Sequence, residues 1–106
     1  MDIAINREPN VGQYYNSKGS ILARIGRFDE SFAAFAKAIE LEPNNALFLE
    51  SLGFAYVDLG NKLNEDATYL DNKAYAKAKV EIDAAYKNAL PYFEKAYELE
   101  PENPDY

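Results

Sequence analysis

The spacing of apolar residues divides the chain into helical stretches. Over residues 13–25, Tyr15, Ile21, Leu22 and Ile25 fall on one helical stripe. Gly26 follows and marks a stop, because glycine accepts the left-handed backbone that closes many helices. Asp29 is then placed to act as the N-cap of the next helix, with Glu30 in its first turn. Phe32, Phe35, Ala36 and Ile39 lie three and four apart, again on one helical face. Pro43 ends this second helix, and Asn44-Asn45 offers a cap for a third.

The third stretch places Leu49, Leu52, Tyr56 and Leu59 on one stripe, and the pattern does not stop at Gly60. Leu63, Ala67 and Leu70 continue it, and Asp71-Asn72 reads as a turn and cap. Tyr75, Ala78, Ile82, Ala85, Ala89, Phe93 and Ala96 then step by three and four without a break. Pro91 sits inside this last stretch. It either kinks the helix on its solvent side or opens a new helix after a break at 88–90.

A short phrase recurs along the chain: Ala4 to Pro9, Ala38 to Pro43 and Ala96 to Pro101. Pro9 to Pro43 is 43 − 9 = 34 residues, and Pro43 to Pro101 is 101 − 43 = 58, or 34 + 24. One plain unit is therefore followed by one carrying 24 extra residues. The expected division of the single domain 1–106 is a tail of a preceding unit at 1–9, a regular unit at 10–45 and an extended unit at 46–106, with the insertion around 61–84. The extra residues are read as two lengthened helices in a long antiparallel hairpin, each gaining about three turns. The competing account is a loop or an extra helix at 61–73, and a structureless loop of that length is uncommon.

These residues resemble the tetratricopeptide repeat family, whose unit spans two helices. The first unit carries Tyr15, Gly19, Leu22, Ser31, Phe35, Ala38 and Pro43 at the motif positions. Lys18 stands where the motif has Leu, and Ser31 where it has Ala. The second unit supplies Leu49, Leu52-Gly53 and Tyr56, then, beyond the insertion, Ala89, Phe93, Ala96 and Pro101. The resemblance covers about residues 1–60 and 84–106. It implies an all-α fold of antiparallel helical hairpins stacked as a fragment of an α-solenoid, the second hairpin with lengthened helices.

The resemblance also implies a protein-interaction scaffold whose first helices line a concave groove for a partner peptide or helix. The groove positions fall on Gln13, Asn16, Ser20, Ala23 and Arg24 in the first unit, and on Leu47, Glu50, Phe54, Val57 and Asp58 in the second. Leu47, Phe54 and Val57 make an apolar strip with Glu50 and Asp58 beside it. Two carboxylates there repel an acidic chain terminus, so a basic or apolar partner fits better. The alternative roles are a structural element that self-associates through open repeat ends, or an accessory module of a larger complex.

Composition narrows the other classes. Hydrophobic residues make up 48% of the chain, which rules out a disordered tail. It has no Cys and no His, which removes disulfides and the usual zinc, haem and iron–sulfur ligands. The net charge is 11 − 18 = −7, split as 5 − 6 = −1 over residues 1–43 and 6 − 12 = −6 over 44–106. No basic face is available for phosphates, so no nucleic-acid binding is expected. No apolar run approaches bilayer length, and no membrane insertion is expected. The N-terminus lacks the pattern of a signal peptide, which leaves the compartment open; a soluble protein, cytoplasmic or periplasmic, is expected.

Catalytic sets are missing as well. There is no Gly-rich phosphate loop and no Ser/His/Asp arrangement. Glu65-Asp66 and Glu81/Asp83 are carboxylate pairs whose side chains point apart on a helix. Asp66 to Asp71 lacks the central Gly of a calcium loop. Most of the nine Tyr fall on the apolar stripes as packing residues. No enzyme activity and no cofactor are expected.

Overall fold

A computed structural model describes residues 11–100. It holds four helices: α1 Gly12–Arg24, α2 Phe28–Leu41, α3 Ala46–Ala67 and α4 Asn72–Leu99. Among the described residues there is no strand. The expected tail at 1–9 and the closing Pro101 lie outside them.

Several helix boundaries have a local cause. α1 closes on Gly26, whose φ of 85° lies in the left-handed region. The Arg27 N–H donates to the Leu22 carbonyl at 2.9 Å, and the Gly26 N–H to the Ala23 carbonyl at 3.1 Å. Together they form a Schellman motif that satisfies two end carbonyls. A Cβ at Gly26 would meet no heavy atom within 4 Å, so only backbone strain opposes a side chain there. Gly26→Ala is therefore expected to destabilise the protein by about 1–2 kcal/mol, read as a lower urea midpoint, with Gly26→Asn affected less.

The start of α2 differs from the sequence expectation. The N-cap is Arg27, and Asp29 and Glu30 both fall in the first turn. The Schellman motif fixes Arg27 directly after Gly26, which leaves no room for a later cap at Asp29. The Arg27 guanidinium donates to Glu30 at 2.6 Å, an exposed pair. Asn45 caps α3 by accepting from the Phe48 N–H at 3.4 Å, and Asp71 caps α4 by accepting from the Ala74 N–H at 2.8 Å. Both caps follow the sequence signals.

α3 and α4 have 22 and 28 residues, against 13 and 14 for α1 and α2. The second hairpin is thus lengthened, and 61–73 is helical apart from the turn after Ala67. Tyr69 at the tip is 91% exposed. Leu70, expected on the stripe of α3, lies beyond that helix and is exposed. α4 runs through Pro91 without a break. Pro91 is exposed, so water can reach the carbonyl its missing N–H leaves unpaired.

The helices interlock through glycine and aromatic pairs. A Cβ on Gly19 would sit 2.8 Å from the Phe35 ring, and one on Gly53 2.9 Å from the Phe93 ring. The pairs are separated by 35 − 19 = 16 and 93 − 53 = 40 residues, a difference of 24. The second hairpin is therefore longer on both helices and keeps the contact. One heptad further out, a Cβ on Gly60 would sit 2.7 Å from the Tyr86 ring. The Tyr86 hydroxyl also bonds the Asn61 carboxamide oxygen at 2.6 Å. The added length thus repeats the device that joins the ordinary part of the hairpin.

Ser31, where the motif has Ala, is fully buried and donates from its hydroxyl to the Gly19 carbonyl at 2.7 Å. Between the hairpins, Phe35, Leu52 and Ala55 form one core with Phe32, Ile39 and Tyr56 packed on it. Ala46, Leu49 and Ala96 form a second. Phe32 stacks on Tyr56 at 4.2 Å and Tyr56 on Tyr92 at 5.8 Å. Burial, and then the neighbouring Tyr92, push the Tyr56 hydroxyl above its ordinary pKa.

The stripe expected for α1 is corrected. Its buried residues are Gly12, Asn16, Gly19 and Leu22, while Ile21 is 43% and Ile25 61% exposed. Small residues line the close approach of α1 to its neighbours, and the two isoleucines lie about 60–100° round the helix from Leu22. Ala36 and Tyr75 are exposed too.

Candidate functional site

α1 packs on α2, α3 packs on α2 and α4, and α1 also touches α3. Between α1 and α3 lies a cavity of about 290 Å³. Ser20, Ala23 and Arg24 form its α1 wall and Ser51, Phe54, Ala55 and Asp58 its α3 wall, with Phe35 of α2 also lining it. Phe54 is 50% exposed, although its ring meets Phe93 edge-on at 5.0 Å. An aromatic ring half open to solvent and braced from behind is a ready apolar contact.

A second cavity of about 440 Å³ adjoins the first and shares Ala23, Arg24 and Asp58 with it. Ile25, Gly26 and Phe28 line it from the end of α1 and the turn into α2. Asn61, Lys62 and Glu65 line it from the lengthened part of α3. This cavity exists because α3 outruns α1, so that its extra turns stand as a wall beside the α1–α2 turn.

Five of the ten groove positions expected from the sequence line the first cavity: Ser20, Ala23, Arg24, Phe54 and Asp58. Gln13 is exposed on the first turn of α1 and donates to Ser17 at 3.4 Å. Leu47 is exposed on the first turn of α3, and Glu50 and Val57 are half-buried. Asn16 is only 6% exposed, and its Oδ1 meets no donor among the described residues. It belongs to the buried stripe of α1, one turn before Ser20. Sequence reasoning missed Ile25, Phe28, Asn61, Lys62 and Glu65. The register of α3 carried a usable signal for two of them, since 54, 58, 61 and 65 step by four, three and four along one face.

The charges of the groove are divided between its walls. α1 carries Lys18 and Arg24 and no acid, while α3 carries Glu50, Asp58, Glu65 and Asp66 against Lys62 alone. Lys62 is paired with Asp66 at 3.3 Å. Among the described residues, neither the Arg24 nor the Asp58 side chain has a hydrogen bond or ion pair. Desolvation by burial raises the Asp58 carboxyl above its ordinary pKa. Among the described residues no three carboxylates converge as metal ligands, and no helix is long and apolar enough to cross a membrane.

Residues 19–60 match the family model described as TPR repeat, and residues 83–103 match that described as tetratricopeptide repeat. The chain belongs to the tetratricopeptide repeat family. The matched segments meet the glycine–aromatic pairs at Gly19/Phe35 and Gly53/Phe93, and they leave out the overhang between 60 and 83. No curated protein matches the chain. Repeats of this family are generally protein–protein interaction modules, and the family is typically a non-enzymatic scaffold.

Proposed function

We propose that this chain is a scaffold that binds a segment of a partner protein in the groove between α1 and α3. The observation that carries this reading is Phe54, half exposed in a cavity that also gathers Ser20, Ala23, Arg24 and Asp58. An exposed ring held rigid by Phe93 can bury apolar area on a ligand at little entropic cost. Gln13, Leu47, Glu50 and Val57 extend the same helix faces beyond the cavity. In this reading residues 10–45 are a regular repeat, 46–106 an extended one, and the insertion around 61–84 lengthens the groove wall. The partner is a protein or peptide of basic or apolar character, and the scaffold needs no cofactor.

The test uses peptides selected on the chain from a phage-displayed random library. Phe54→Ala is expected to weaken the selected peptides by tenfold or more, with unchanged helicity by circular dichroism. Peptides that bind Phe54→Ala as tightly as the parent would place the binding surface elsewhere.

A further inference from the structure

Resting on the groove reading above, we infer that Asp58 sets the specificity of this groove, accepting a Lys or Arg side chain two residues from the apolar anchor of an extended partner segment.

Position makes the first argument. Asp58 lines both cavities and so stands where they join. Phe54 lies one helical turn before it on α3, a rise of about 6 Å. In an extended peptide, residues two apart share a face and lie about 6.6 Å from each other. A large apolar side chain over Phe54 and a basic one at Asp58 therefore match that spacing.

Charge makes the second argument. The Asp58 side chain is exposed, with some desolvation raising its pKa, and has no partner among the described residues. Lys62, the base nearest to it along α3, is held by Asp66 at 3.3 Å. Glu65, one turn or so further on, adds a second negative charge to the same wall. Arg24 faces them from α1 and lies beyond ion-pair distance of Asp58. A cation reaching the α3 wall meets an exposed carboxylate with no partner among the described residues, and such a complementary charge fixes register and partner choice.

The experiment selects peptides from the phage-displayed random library on three proteins: the parent, Asp58→Lys and Phe54→Ala. The parent is expected to enrich peptides with Lys or Arg two residues from a large apolar residue. Asp58→Lys is expected to enrich Asp or Glu at that place, and Asp58→Asn to bind the parent's peptides about tenfold more weakly. Should Phe54→Ala lose the peptides while Asp58→Lys keeps the same basic motif, the groove stands and the role of Asp58 is overturned. Should the peptides survive Phe54→Ala, or should no peptide be enriched on the parent, the groove reading falls and this inference with it.

Discussion

Phe35→Ala is expected to destabilise the chain by about 3–5 kcal/mol, the largest effect of any single truncation considered. The Phe35 side chain is 1% exposed and touches both hairpins at once. It fills the notch left by Gly19 in α1 and packs with Leu52 and Ala55 of α3. Deleting the ring leaves a cavity that neither helix can close, because Ser31 fixes α2 to the Gly19 carbonyl one turn away. A small domain has a total stability of only about 5–15 kcal/mol. The variant should therefore show a large drop in urea midpoint, with much of the population unfolded at moderate temperature. A loss below about 1 kcal/mol would mean that the hairpins are not joined through this ring.

The parts of the fold legible in the sequence are those fixed by local chemistry or by a repeated contact. Gly19 with Phe35 and Gly53 with Phe93 recur with the closing prolines, so each pair reports a helix crossing. Asn45 and Asp71 announce helix starts because their side chains satisfy a backbone N–H three residues on. The lengthened hairpin was legible because the apolar spacing runs past Gly60. The misreadings have two origins. In α1 the buried stripe is made of Gly12, Asn16, Gly19 and Leu22, and Ile21 and Ile25 lie off it. Hydrophobic periodicity cannot see an interface built on closeness rather than on apolar side chains. The start of α2 was missed because the Schellman motif at Gly26 sets the chain direction before any capping side chain acts.

The site was legible to a lesser degree. Helix register alone brings Ser20, Ala23, Arg24, Phe54 and Asp58 to one face, and these line the first cavity. The second cavity depends on how far α3 projects beyond α1 once the two are packed, which is a tertiary relation. No local signal marks Ile25 and Phe28 as its lining, and Ile25 in particular reads as core.

Gly53→Leu is expected to cost roughly 1–3 kcal/mol, by forcing α3 and α4 apart where they carry the second hairpin. The first atom of the new side chain would lie 2.9 Å from the Phe93 ring. That ring is also in edge-on contact with Phe54, at 5.0 Å between centroids. Gly53→Ala separates the two forces at this position. In an open helix the change would gain up to about 1 kcal/mol of helix propensity, and here the close ring opposes it. With Phe93→Leu in place the ring is gone, so the same Gly53→Ala should become stabilising. The two substitutions are thus expected to be non-additive by at least about 0.5 kcal/mol in urea unfolding followed by circular dichroism. Strict additivity, or an unchanged melting temperature for Gly53→Leu, would mean that glycine at this position serves no helix contact. The same reasoning assigns Gly60 and Tyr86 the identical role one heptad outward. The second interlock thus holds together the part of the hairpin that extends past the first, where α3 lines the second cavity.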